Sequence, residues 1–310
     1  MNTLRNAVNE YLETRRALGY QLREDGVDLP SFVSFLEQHG ENHITTKLAL
    51  EWSQLSSSPK LAGWIKRLGI VRTFARYRSA TDPRTEIPPC GLLPRPKSRV
   101  RPYLYSDQEI KALMDAALCL HPADGLRPWT YHCLFGLLTV TGLRIGEALS
   151  LKCIDVDLRE GLLKICHSKF GKSRLVPVHA STQQTLADYA QKRDRFLGKQ
   201  RSQYFLVSER GKRLSKSRVT DTFYDLSRQT GLRGPSDRHG PRLHDFRHRF
   251  AVYALVSWYR SGRAVEQCLP VLSTFLGHAR PSDTYWYLSL CPELMEMATV
   301  LLERRWEDRL

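Results

Sequence analysis

No pair of cysteines in this sequence is spaced CxxC, no GxGxxG pattern occurs, and no apolar run approaches the ~18 residues that a membrane-spanning helix needs. The seven cysteines (Cys90, Cys119, Cys133, Cys153, Cys166, Cys268 and Cys291) are odd in number and scattered, which argues against a disulfide framework or a zinc ribbon. They are expected to be reduced and mostly buried. Residues 1–9 lack the charged start and apolar core of a secretory leader, so the expected location is the cytoplasm, beside nucleoid DNA, with no membrane partner. Internal repeats and low-complexity tracts are missing too.

Acidic residues are scarce. Against 47 Lys and Arg there are 32 Asp and Glu, a net +15 over 310 residues of which 42% are hydrophobic. Such a chain forms cores, in about two domains by length, and its charge attracts polyanions, nucleic acid first among them. The surplus is uneven. Residues 1–59 carry a net −3, residues 60–101 a net +9, and the remainder the other +9.

Helical spacing predicts helices over 4–18, stopped by Gly19, over about 29–39, stopped by Gly40, a third from Thr45 or Thr46, and a fourth over about 60–80 behind Ser58-Pro59. On the fourth, Leu61, Trp64, Ile65, Leu68, Val71 and Ala75 form the core stripe. Lys66 and Arg67 fall off it and Arg76 and Arg78 lie at its edges, as suits a helix lying against phosphates or, alternatively, a solvated face. Over 87–104 come Pro88, Pro89, Pro94, Pro96 and Pro102, interleaved with Arg95, Lys97, Arg99 and Arg101. That composition predicts an extended cationic linker between an N-terminal helical domain, 1–86, and a second domain, 105–310.

The second domain opens with a capping box, Ser106-Asp107-Gln108-Glu109. A β-hairpin is expected over 161–167 and 174–178, turning at Gly171, and helices dominate the rest, so the fold class is mainly α with a small β-sheet. Polar residues interrupt the apolar text at four places: Arg144 and Glu147 in Thr141-Gly142-Leu143-Arg144-Ile145-Gly146-Glu147; Lys169 and Lys172 in the hairpin turn; His244, Arg247 and His248 in His244-Asp245-Phe246-Arg247-His248; and His278 with Tyr285 and Tyr287 after Leu276-Gly277. His244 and His248 have the i, i+4 spacing of metal ligands, but Asp245 stands where a zinc protease has Glu, and Arg247 would sit beside the metal. Two arginines, histidines, a lysine and a tyrosine fit phosphodiester transfer instead. A pentacovalent centre needs cations on its non-bridging oxygens, a nucleophile, and an acid for the departing alkoxide.

This set of motifs resembles the tyrosine recombinase (phage integrase) family across 103–290, and residues 1–86 are similar in architecture to that family's helical, SAM-like core-binding domain. The resemblance implies that Arg144 and Arg247 clamp the scissile phosphate, His278 donates a hydrogen bond to it and Tyr287 attacks it. Lys169 would protonate the leaving 5′-oxygen, His244 would serve as base or proton relay, and Glu147 would orient the site. Tyr285 and Lys172 are the alternatives to Tyr287 and Lys169. Neither cofactor nor metal is implied. The implied partner is double-stranded DNA with inverted-repeat core sites, held by four copies of the chain or a mixed tetramer with related recombinases, for integration, excision or transposition of a mobile element. The rival readings are a type IB topoisomerase-like enzyme and a non-cleaving DNA-binding protein of the same fold. A C-terminal stripe, Leu294, Met297, Val300 and Leu301, would dock on a neighbouring copy or on its own domain.

Overall fold

Thr3 caps the first helix of the computed structural model, which describes residues 3–55, 61–94, 101–166, 173–237, 240–278, 280–289, 294–297, 299, 300 and 303. The chain divides into two units, Met1–Val100 and Arg101–Leu310. Among the described residues the first unit has four helices, α1 (Leu4–Ala17), α2 (Asp25–Gln38), α3 (Thr46–Gln54) and α4 (Leu61–Arg78), around Leu29, Phe32, Leu36, Ile44, Trp52, Val71 and Phe74. The Thr45 hydroxyl caps α3 by accepting from the Leu48 amide at 3.3 Å. Helix α2 starts four residues before the expected Leu29, with Pro30 inside it. Asp25 and Asp28 in its first turn complement the positive helix end, so the start lies with the acids and not with the proline.

The first half of the proline-rich segment lies along this unit. Arg72 donates to the carbonyls of Pro88 and Pro89 at 2.7 and 2.9 Å, and Leu93 packs on the core. Arg95, Lys97 and Arg99 lie outside the described residues.

The second unit begins with α5 (Asp107–Leu118), where both halves of the Ser106 and Glu109 capping box are formed, followed by α6 (Arg127–Thr141) and α7 (Ile145–Ser150). An antiparallel sheet in the order β1 (Val156–Asp157), β2 (Leu162–Ile165), β3 (Arg174–Pro177) comes next, with Val156 opposite Leu163 and Leu163 opposite Val176. The hairpin turn, 167–172, lies outside the described residues. Then come α8 (Ala180–Leu197), α9 (Lys216–Gln229), α10 (Asp245–Arg260), α11 (Val265–Leu276), the single turn α12 (Ser282–Tyr285) and a 3-10 turn, Trp286–Ser289.

Phe135, Phe223, Phe246 and Tyr105 centre the main core of this unit, and α10 and α11 close a second one around Leu255, Leu269, Leu272, Leu276 and Tyr287. Leu294 buries itself in that second core, whereas Val300 is exposed and Leu301 lies outside the described residues. The start of the tail therefore packs on its own domain. Contrary to expectation, the thiols are not mostly buried. Cys133 is, but Cys90 and Cys119 are exposed and Cys153, Cys166 and Cys268 are half-covered, because they sit in turns, at helix ends and on half-exposed faces. Cys291 lies outside the described residues.

Candidate active site

Helix α11 ends at Gly277, whose φ of +67° places it in the left-handed region. A helix end leaves its last carbonyls without intrahelical donors. Here three guanidiniums take three consecutive ones. Arg174 Nε donates to Phe275 O at 2.7 Å, Arg247 Nη2 to Leu276 O at 2.7 Å, and Arg144 Nη2 to Gly277 O at 3.0 Å. The negative end of the helix dipole favours cations at this place. Glycine is required at 277 for space as well as for φ, since a Cβ there would lie 2.8 Å from the Arg174 guanidinium.

Arg144 precedes α7 as its N-cap, and its side chain donates to Glu147 Oε1 at 2.8 Å while its amide donates to Oε2 at 3.0 Å. Arg174, the first residue of β3, reaches the same carboxylate with both terminal nitrogens, at 3.1 Å to Oε1 and 2.8 Å to Oε2. Burial alone would raise the Glu147 carboxyl, but the hydrogen bonds and charge of Arg174, reinforced by Arg144, outweigh it and hold the group below its ordinary value.

Arg247 comes from the first turn of α10 and is 2% exposed. Its Nη1 donates to Gly142 O at 3.0 Å, the carbonyl of the left-handed residue that ends α6. Desolvation, with Arg144 as a like charge, lowers its pKa to about 10, so it stays cationic at neutral pH. Its fixed charge faces Tyr287. That phenol is 2% exposed; burial raises it above its ordinary value, and Arg247, through charge and a hydrogen bond, acts against the rise.

Three imidazoles surround this pair. His278 lies stacked against the Tyr287 ring, centroids 5.9 Å apart and planes 20° from parallel, and its Nδ1 meets Thr284 Oγ1 at 2.7 Å. His248 also stands beside Tyr287, at 5.6 Å, and crosses His244 edge to face at 4.7 Å. Burial, followed by the charge of Arg247, lowers His244 and His278 to about 4 each; burial and then His244 lower His248 to about 3. All three are neutral at pH 7. They are donors and proton acceptors there, not cations.

The sequence-derived set thus converges at Arg144, Glu147, Arg247, His278 and Tyr287, with His244 one ring further out. Tyr285 points elsewhere and is 53% exposed. Lys169 and Lys172 lie outside the described residues. The sequence gives no role at the phosphate site to three neighbours: Arg174, which reads as a strand start, His248, which falls on one face with His244 and Arg247 and has metal-ligand spacing, and Thr284. Among the described residues, no three His, Cys, Asp or Glu side chains gather in a way that could hold a metal ion.

Beside Arg144 and His244 opens a cleft of about 740 Å³ whose rim carries Lys152, Lys164 and Lys216, all exposed, together with Arg213. The cations expected to meet DNA in the first unit are placed differently from one another. Arg76 is exposed, whereas Lys66 pairs with Glu24, and Arg67 lies over the Trp52 ring at 3.7 Å and 4.0 Å from Asp28. Arg78 is 8% exposed and faces Asp82 at 3.5 Å, because its helix position turns it into the unit. Arg101, in the second unit, is exposed.

Two guanidiniums, neutral imidazoles and a buried phenol on a mainly helical unit define a tyrosine recombinase. Residues 104–293 match the phage integrase family, and the chain belongs to it. Over 313 residues it is 54% identical to a putative integrase/recombinase, y4rB, of Sinorhizobium fredii (strain NBRC 101917 / NGR234), covering all of both chains. It is 31% identical over 288 residues to the tyrosine recombinase XerD of Caulobacter vibrioides (strain ATCC 19089 / CIP 103742 / CB 15), covering 90% of this chain and 88% of that one. In fold it is similar to the Tn1549 transposon integrase, solved in complex with transposon right end DNA, with a TM-score of 0.69 and 12% identity over 97% of this chain and 99% of that one.

Proposed function

We propose that this chain cuts and rejoins DNA strands at specific sites through Tyr287, with Arg144, Arg247 and His278 on the scissile phosphate. The observation that carries this reading is the placement of Arg247 and Arg144 on the adjacent carbonyls of Leu276 and Gly277, directly before a histidine whose ring stacks on Tyr287. Guanidiniums are permanently charged and form bidentate bonds to phosphate oxygens, so the pair stabilises the charge that grows during attack.

The phenolic proton of Tyr287 passes to the neutral imidazole pair, His248 beside the ring and His244 beyond it. The phenolate oxygen then bonds to phosphorus and the bond from phosphorus to the 5′-oxygen breaks. Lys169 gives that oxygen its proton, leaving a 3′-phosphotyrosyl link and a free 5′-hydroxyl. A 5′-hydroxyl from a second duplex reverses the sequence, returning the proton to Tyr287, and one strand has been exchanged. The phosphoester is never lost to water.

The exposed Lys152, Lys164 and Lys216 track the DNA backbone along the cleft, and Arg76 makes phosphate contacts from α4. The working assembly is four copies on two inverted-repeat sites, serving movement of a mobile element. The test is a duplex nicked close to the cleavage position, so that the short 5′-terminated piece diffuses away. Wild type is expected to accumulate a covalent protein–DNA band, and Tyr287→Phe to bind the duplex without forming one. Absence of the band from wild type on any end sequence overturns the reading. Plasmid relaxation without strand exchange would mark a topoisomerase.

A further inference from the structure

The carboxylate of Glu147 has more positive company than a two-arginine clamp requires. Arg144 gives it one side-chain bond, to Oε1, whereas Arg174 grips both oxygens. Arg174 is also the arginine farthest removed from a phosphate role, since all three of its guanidinium nitrogens are committed, Nε to Phe275 O and both terminal nitrogens to Glu147.

Charge accounting gives this grip a purpose. The phosphodiester carries one negative charge, and attack by a phenolate adds another, so the pentacovalent centre has two. Arg144 and Arg247 supply two positive charges, but Glu147 cancels one of them. With Arg174 present the group of four sums to +2; without it, to +1. A carboxylate facing a single guanidinium also adopts the bidentate geometry, which would draw Arg144 away from the phosphate and onto Glu147. By filling both carboxylate oxygens, Arg174 leaves Arg144 only a shared one. Gly277, with no side chain to push against the Arg174 guanidinium, lets this arrangement sit flush against the residue before His278.

We propose that Arg174 is a positioning residue that compensates Glu147, so that the second positive charge of the clamp stays on Arg144 and is directed at the scissile phosphate. This rests on the reading of Arg144 as a phosphate ligand. A brace that merely ties β3 to α11 would use the same contacts, and the two roles separate by charge.

The experiment measures the rate of covalent complex formation on the nicked duplex for wild type, Arg174→Met, Arg174→Lys, Glu147→Gln and the double variant Arg174→Met/Glu147→Gln. Each is run on a phosphodiester and on a methylphosphonate, which lacks one negative non-bridging oxygen at the scissile position. Arg174→Met is expected to slow the phosphodiester reaction about a hundredfold. Adding Glu147→Gln, which removes the uncompensated charge, is expected to recover about tenfold of that. The loss in Arg174→Met should shrink on the methylphosphonate, and Arg174→Lys, which keeps the charge, should show the wild-type ratio between the two duplexes. Should Arg174→Met fail to fold, as judged by melting and duplex binding, the neutral Arg174→Gln takes its place in the same comparison. A double variant no faster than Arg174→Met, or a loss in Arg174→Met that is equal on both duplexes, overturns the proposal and leaves a brace. A wild type that forms no complex on either duplex overturns the parent reading and this one with it.

Discussion

The hydroxyl of Thr284 stands 2.7 Å from Nδ1 of His278, and Thr284 is 1% exposed. When that hydroxyl donates, Nδ1 is the acceptor and the ring proton sits on Nε2, the nitrogen left to donate to a phosphate oxygen. Thr284→Val keeps the shape and removes the hydroxyl, so it is expected to slow covalent complex formation about tenfold, while Thr284→Ser retains most of the rate. Duplex affinity, measured alongside, should change little in either variant.

Gly277→Ala should cost more than a glycine replacement of the same backbone conformation elsewhere. Gly262 has φ +69° and, among the described residues, nothing within 4 Å of where a Cβ would sit, whereas at Gly277, φ +67°, the Cβ would meet the Arg174 guanidinium at 2.8 Å. Gly262→Ala is expected to lower stability by about 1 kcal/mol and leave cleavage intact. Gly277→Ala should lower it by a larger amount and also reduce cleavage, because the displaced guanidinium belongs to the site. Urea unfolding and the nicked-duplex assay check the pair.

Stability should decline in acid for a specific reason. His244, His248 and His278 sit at about 4, 3 and 4, below the ordinary 6.5 they regain on unfolding. The unfolded chain therefore binds more protons in this window, so the contribution is complete above pH 6.5 and is lost as the pH falls toward 4. His248 is held low by burial and by His244, Arg242, Arg247 and His278 around it, and its Nδ1 is buried without a partner. His248→Phe should flatten the dependence of melting temperature on pH between about 7 and 5 and raise stability at the acid end. It should slow cleavage as well, by about tenfold or more, through loss of the proton acceptor beside Tyr287.

Two kinds of cation can be told apart by salt. Lys152→Ala, Lys164→Ala and Lys216→Ala are each expected to weaken duplex binding and to reduce the slope of log affinity against log salt by about 0.9 for each phosphate left without its lysine. Arg78→Met should leave that slope unchanged and instead destabilise the first unit by about 1–3 kcal/mol, since it strips Asp82 of a buried partner. Fluorescence anisotropy at several salt concentrations, with melting curves, separates the two behaviours.

What the sequence made readable was local. The capping box at Ser106 and Glu109 and the pairing of Arg144 with Glu147 each span three residues, and both are formed. Arg174 escaped because its partners lie 27 and 101 residues away, at Glu147 and Phe275, and nothing in the text around an arginine opening a strand reports a carbonyl so distant. Strand β1, two residues long, is too short to show an alternation. Helical periodicity gives Arg78 the angle of an edge position but does not show Asp82, which turns back from beyond the helix end to meet it. Of the stacking of His278 on Tyr287 the sequence shows only two polar residues after Leu276-Gly277; its geometry is made by the short turn that follows Pro281.

Arg174, Arg247 and Arg144 are hung on successive carbonyls of one helix end, so their anchor points are one peptide unit apart, and Glu147 ties the first and last of them together. The end of α11 works as a jig. The three arginines share that one anchor, while Tyr287 sits on a separate 3-10 turn. For the proposed cleavage, the approach of the phenol to the paired guanidiniums depends on how that turn sits against the end of α11.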